Sequence, residues 1–239
     1  MKSKNIVMMA VAAGIIVAGA SAAVVIGSGG ANKSPKTEDQ ITLQLMSPSM
    51  PNAPALGSDE AKVTIVEFGD YQCTWCMRFH EATKEQLVNN YVDTGKVRFL
   101  FKDFPINDLS DRASSLAAEG SYCAADQGKY WEYYDKIYST VAYLYNSNIE
   151  GENSGYMTKN FITESAKLSG VSDMAAFSEC LESGKHTKVV SDNYNLARQI
   201  GLTGTPNFII LKEGMTPKLI PGAVPYSSFE RAINEVYSS

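Results

Sequence analysis

A short apolar run that leads directly into two closely spaced cysteines constrains this chain more than any other feature. Val63-Thr64-Ile65-Val66-Glu67-Phe68 is apolar and β-branched, and it predicts a strand over Lys62–Phe68. Cys73-Thr74-Trp75-Cys76 follows and opens a predicted helix from Thr74 to about Tyr91. Val97-Arg98-Phe99-Leu100-Phe101 is a second strand, stopped at Phe104-Pro105. A strand–helix–strand unit of this kind implies a parallel pair joined by a right-handed crossover.

A long helical stretch comes next. Ser110 is the expected cap of a helix through about Ala125, ending near Gly128. Tyr130 to about Tyr145 is a strongly aromatic helix, and the polar residues 146–156 form a loop. Further helices are expected at Thr158–Leu168, at Asp173–Glu182 after a Ser172 cap, and at His186–Ile200. The strand signal then returns in Asn207–Leu211, bounded by Thr205-Pro206. Pro217-Lys218-Leu219-Ile220 is its expected antiparallel partner, after the turn at Glu213-Gly214. Tyr226 to about Tyr237 is a final amphipathic helix. The order βαβ, helices, ββα predicts an α/β fold with a helical subdomain inserted at about 108–201.

The position of the cysteines carries the chemistry. Cys73 stands at the start of the helix, where unpaired backbone N–H groups and the macrodipole favour negative charge. A thiol there loses its proton more easily, and the thiolate is the nucleophile. Cys76, one turn on, is close enough to close a disulfide with it. Thiol–disulfide exchange is the reaction implied. The net charge of −5 argues against a nucleic-acid partner, which would need a basic face.

The start of the chain has its own character. Lys2 and Lys4 precede an uncharged run from Ile6 to Ile26, about 21 residues and long enough to cross a bilayer. Ala20-Ser21-Ala22 would suit a signal-peptide cleavage site, but the apolar run continues past it. Residues 1–26 are therefore expected to be an uncleaved membrane anchor. The lysines keep the start of the chain cytoplasmic and the rest outside. Residues 27–57, rich in Gly, Ser and Pro, are expected to be a flexible linker. Within it, Ile41–Leu45 is open to two readings, a short strand or a segment docked on the domain. The catalytic domain would cover 58–239, in a compartment where disulfides persist.

Taken together, Cys73-Thr74-Trp75-Cys76 after a strand, Gly204-Thr205-Pro206 before a strand, and the inserted helices resemble the DsbA-like thiol–disulfide oxidoreductases of the thioredoxin superfamily. Lys102-Asp103-Phe104-Pro105 and Gln127-Gly128-Lys129-Tyr130-Trp131 are similar to segments of its tethered or secreted members. The resemblance implies a thioredoxin-like fold, an exposed nucleophile at Cys73 and a buried resolving thiol at Cys76. It also implies a cis bond at Thr205-Pro206 facing the redox pair, with Thr205 offering backbone groups to a substrate strand. Glu67 falls where the family carries a buried acid that relays the resolving thiol's proton. Lys102 is the expected partner of Glu67. The family's best-known oxidant has Pro-His between its cysteines, where this chain has Thr74-Trp75. Helix-end effects must then do more to hold the Cys73 thiolate. Trp75 is expected on the active-site face, either packing the first turn or contacting unfolded substrates.

Cys123 and Cys180 remain. In an oxidising compartment an even cysteine count suggests pairing, and with the Cys73–Cys76 pair assigned a structural Cys123–Cys180 disulfide is expected. No cofactor is expected. A rival reading is metal or copper handling by Cys73, Cys76 and His80 on one helical face, with Met77, Met46 and Met50 as soft ligands. Within redox chemistry the direction stays open between disulfide donor, reductase and isomerase. The expected partners are cysteine-containing secreted or surface proteins and a membrane redox protein that recycles the pair. A monomer is expected. Some of Tyr130, Tyr133, Tyr134, Tyr138, Tyr143 and Tyr145, clustered in one helix, must face outward, and that surface is open to a partner.

Overall fold

A computed structural model describes residues 38–108 and 111–238. The expected anchor, residues 27–37 of the expected linker, and Ser110 lie outside the described residues. Among the described residues no helix is long and apolar enough to cross a membrane.

Four strands form one sheet: β1 (Val63–Gly69), β2 (Val97–Asp103), β3 (Asn207–Lys212) and β4 (Lys218–Pro221), in the order β2-β1-β3-β4. β1 runs parallel to β2 and antiparallel to β3, which is antiparallel to β4. Every residue of β1 is buried, as a central strand covered on both faces must be. Period-two alternation divides its side chains. Val63 and Ile65 pack with Phe79, Phe99, Phe208 and Phe229 on one face. Val66 and Phe68 pack with Leu100, Leu196 and Ile209 on the other.

The crossover from β1 to β2 is one helical rod over 74–92. In it the α-helical turns α2 (Thr74–Phe79) and α3 (Glu85–Leu87) alternate with the wider π turns His80–Lys84 and Val88–Val92. Five helices follow β2: α4 (Ala113–Ala125), α5 (Tyr130–Asn146), α6 (Lys159–Leu168), α7 (Met174–Ser183) and α8 (Thr187–Gln199). After β4, α9 (Tyr226–Ser238) packs its apolar face, Phe229, Ile233 and Val236, on the sheet. This is the thioredoxin-like sheet with a helical insertion that the sequence predicts.

Two expectations are corrected. Residues 38–57 do not behave as a flexible linker: α1 (Glu38–Met46) docks through buried Leu45, and Leu56 exchanges two 2.8 Å backbone hydrogen bonds with Phe99. Ile41 and Leu45 stand four apart, a helical stripe rather than a strand pattern. Asp173, not Ser172, caps α7, because its carboxylate reaches the N–H of Ala176 at 2.9 Å. Of the α5 tyrosines, Tyr130, Tyr133, Tyr134 and Tyr138 are buried, while Tyr143 faces outward, in keeping with the expectation that some do.

Candidate active site

The site begins where β1 ends. The Asp70 carboxylate accepts hydrogen bonds from the backbone N–H of Gln72 at 2.8 Å, from the Ser114 hydroxyl at 2.6 Å and from the backbone N–H of Asn107 at 2.8 Å. These bonds fix the turn 70–72, and Cys73 N–H closes it on the Asp70 carbonyl at 3.0 Å. Cys73 is therefore the N-cap of α2, with extended backbone and no cap bond from its own side chain. Its sulfur stays at the helix entrance, where the N–H groups and the dipole favour a thiolate.

Across the gap, the Thr205-Pro206 peptide bond is cis, and the Thr205 carbonyl accepts the Cys73 thiol hydrogen bond at 3.4 Å. The Thr205 hydroxyl is buried and has no hydrogen-bond partner. This loop covers Cys73, which is only 4% exposed, not open to solvent as the resemblance implied. Cys76 is fully buried, at 0%. What separates the two thiols is electrostatics. The hydrogen bond from Cys76 holds the Cys73 thiol below its ordinary range, against the opposing effect of burial. Burial pushes Cys76 well above the ordinary range, reinforced by its hydrogen bond to Cys73 and by the charges of Cys73 and Glu67.

Glu67 lies beneath the pair in the centre of β1, fully buried. One carboxylate oxygen accepts the Tyr134 hydroxyl at 2.8 Å, and the other has no partner. Burial pushes Glu67 up to about 8, against the hydrogen bond of Tyr134 and the charge of Lys84. Lys102 is not its partner. Lys102 stands in register with Phe68, one residue out of phase with Glu67, so it faces the other side of the sheet. Its ammonium donates to the Ser47 carbonyl at 2.9 Å instead.

Trp75 is 56% exposed beside the cysteines, with the Arg78 guanidinium 5.1 Å from its ring centroid. Arg78 also lies 5.8 Å from the Tyr145 ring, which builds an aromatic and cationic rim. The metal reading loses its ligand set: Met77 is core, and Met46 and Met50 pack against the hydrophobic clusters. The His80 ring meets the Asp135 carboxylate at 3.0 Å. Among the described residues the metal-ligand cluster is Cys123, Cys180 and His186, and its two sulfurs are already bonded to each other. That disulfide ties α4 to α7, with Cα atoms 5.9 Å apart.

Asp70, Lys84 and Tyr134 join the site although no sequence motif marks them as site residues. The spacing Tyr130, Tyr134, Tyr138 is an i, i+4 row that points one way on a helix, and this was the available signal for Tyr134. Nothing in the sequence marks Lys84.

A sheet of this topology with an inserted helical bundle, and an asymmetric thiol pair at a helix entrance facing a cis-proline loop, defines a DsbA-like thiol–disulfide oxidoreductase. The chain belongs to the thioredoxin family, whose sequence profile, described as Thioredoxin, matches residues 49–235. Disulfide bond formation protein D of Bacillus subtilis is 24% identical over 204 residues, covering 85% of this chain and 84% of that protein. The crystal structure of oxidised BdbD from Bacillus subtilis superposes with a TM-score of 0.66 at 22% identity, covering 81% of this chain and 97% of that one. Wolbachia pipientis alpha-DsbA1 gives a TM-score of 0.66 at 23% identity, covering 82% and 95%. These two structures are alike in fold.

Proposed function

We propose that this protein donates disulfides to cysteine-containing secreted or surface proteins outside the cytoplasm, through Cys73 and Cys76. The opposed shifts of the two thiols, Cys73 down and Cys76 up, are the observation that carries this reading. In the oxidised protein a substrate thiolate attacks the Cys73 sulfur. The Cys73–Cys76 bond breaks, a mixed disulfide forms, and Cys76 leaves with the electron pair. Cys76 is buried and holds a proton tightly, so it takes one, and Glu67, protonated near neutral pH, is the nearby acid. A second substrate thiolate then attacks the substrate's own sulfur. Cys73 departs as a thiolate, and a low-pKa thiol is the better leaving group. The substrate is oxidised by two electrons and the Cys73–Cys76 pair is reduced. A membrane redox partner would accept those electrons and restore the disulfide.

The Thr205 carbonyl faces the pair, which supports pairing with a substrate strand. Exposed Trp75 offers that strand an apolar contact. The uncharged run Ile6–Ile26 supports tethering of the domain to the membrane from outside. The name of the Bacillus subtilis relative, disulfide bond formation protein D, agrees with the direction of this reading.

Redox titration of the full chain against glutathione buffers tests the direction. A stabilised Cys73 thiolate favours the reduced form, so a potential above about −200 mV is expected; a value near −270 mV would mark a reductase. Cys76→Ser should trap substrate adducts on Cys73, and Cys73→Ser should trap few. Equal trapping by both variants would undo the assignment of the nucleophile.

A further inference from the structure

We propose that Lys84 is a positioning residue for the step in which Cys76 leaves and is protonated: its ammonium faces buried Glu67 across Tyr134 and, with Asp135 as its opposing charge, sets when that acid gives up its proton. The inference deepens the reading of Glu67 as the acid that serves Cys76, and rests on it.

The placement is unusual for a lysine, which is almost never buried unless paired. Lys84 is buried within the π turn His80–Lys84. A π turn is wider than an α turn. Here it leaves His80 and Lys84 both directed at α5, the helix that Cys76 also faces. The Lys84 ammonium lies 4.9 Å from the Tyr134 ring centroid and 5.9 Å from that of Trp131. Beyond the ring, the Tyr134 hydroxyl donates to Glu67 at 2.8 Å. On its outer side Lys84 donates to Asp135, which also meets His80 at 3.0 Å. His80, Lys84 and Asp135 line a surface groove, so this end of the assembly reaches solvent while Glu67 does not.

The groups around Glu67 can be assigned a sign. Cys73 and Cys76 stand on the helical rod, and Tyr130, Tyr134 and Tyr138 on α5. Burial keeps the three tyrosines neutral through the working pH range. The Cys73 thiolate disfavours ionisation of Glu67, whereas Lys84 favours it. In a dry interior a single charge at this range acts strongly. Asp135 offsets part of the Lys84 charge, so removing either should move Glu67 in opposite directions. Loss of packing alone would not produce opposite signs.

The test is a pH titration of the full chain in its reduced form, carrying 13C-carboxyl glutamate and followed by NMR. The Glu67 resonance is identified as the one missing in Glu67→Gln. Lys84→Met should raise the Glu67 midpoint by about one pH unit. Asp135→Asn should lower it, and Lys84→Arg should restore it. The pH midpoint of mixed-disulfide formation on the oxidised protein should move with it in each variant. A formation profile that Glu67→Gln leaves unaltered would overturn the Glu67 reading itself. A profile that Glu67→Gln flattens, with a Glu67 midpoint that neither Lys84→Met nor Asp135→Asn moves, would overturn the Lys84 inference alone. Should Lys84→Met fail to fold, the downward shift in Asp135→Asn decides.

Discussion

Single residues set the chemistry through their surroundings. Cys73 and Cys76 are the same side chain three positions apart, yet one is a poised leaving group and the other a tightly protonated thiol. Glu67 shows the same principle with a pH consequence. Its folded value, about 8, lies above the ordinary carboxylate value of about 4.3. A raised carboxyl leaves stability intact below the unfolded value and withdraws it as the pH climbs through the folded one. Glu67→Gln keeps the shape and removes the charge. The reduced variant should therefore melt with wild type near pH 4.5 and above it at pH 9. Each unit of relieved shift is about 1.4 kcal/mol, or about 3–6 °C in Tm for a domain of this size. Asp70 and Asp103, pushed up to about 6 by burial, titrate in both proteins and cancel in the comparison. Calorimetry at the two pH values checks the sign, and equal melting at pH 9 would mean that Glu67 is already neutralised by its neighbours.

At the scale of elements, the inserted helices do more than decorate the sheet. α5 supplies Tyr134 to the buried acid and Tyr138 to the turn before Cys73, where its hydroxyl donates to the Asp70 carbonyl at 3.2 Å. α4 supplies Ser114 to the Asp70 carboxylate. The Cys123–Cys180 bond ties α4 to α7 across 57 residues of sequence. Closing a loop of that length contributes roughly 4 kcal/mol in the chain-entropy model. Replacing both cysteines by Ala should lower stability by an amount of that order in urea denaturation, while the Cys73–Cys76 pair still cycles. Retention of full stability would show that the helices hold together without the bond.

For the whole molecule, the open question is how the catalytic domain is kept at its site of action. The uncharged run from Ile6 to Ile26 and the lysines before it predict that the full chain stays with membranes through a high-salt wash. A form lacking residues 1–26 should be released with its thiol chemistry intact. A soluble mature chain beginning near Ala23 would show instead that the segment is a cleaved signal. The folded domain starts earlier than composition suggests, because α1 and the Leu56–Phe99 bridge already belong to it.

Local pattern was sufficient for much of this protein. Apolar β-branched runs mark β1, β2 and β3, and their order around a helical stretch specifies the topology, because a strand–helix–strand unit admits essentially one hand. Cysteine spacing at a helix entrance likewise identifies the reactive pair, since helix polarity is a local property. Packing alone decided the rest. Lys102 and Lys84 both follow apolar or helical context in the sequence, but strand register turns Lys102 away from Glu67 while a π turn brings Lys84 toward it. Composition reads residues 38–57 as a linker, yet Leu45, Ala53 and Leu56 find apolar partners on the finished domain. The Thr205 carbonyl covers Cys73 from a position more than a hundred residues away. Register, helix phase and long-range burial depend on partners distant in sequence, so no window on the chain contains them.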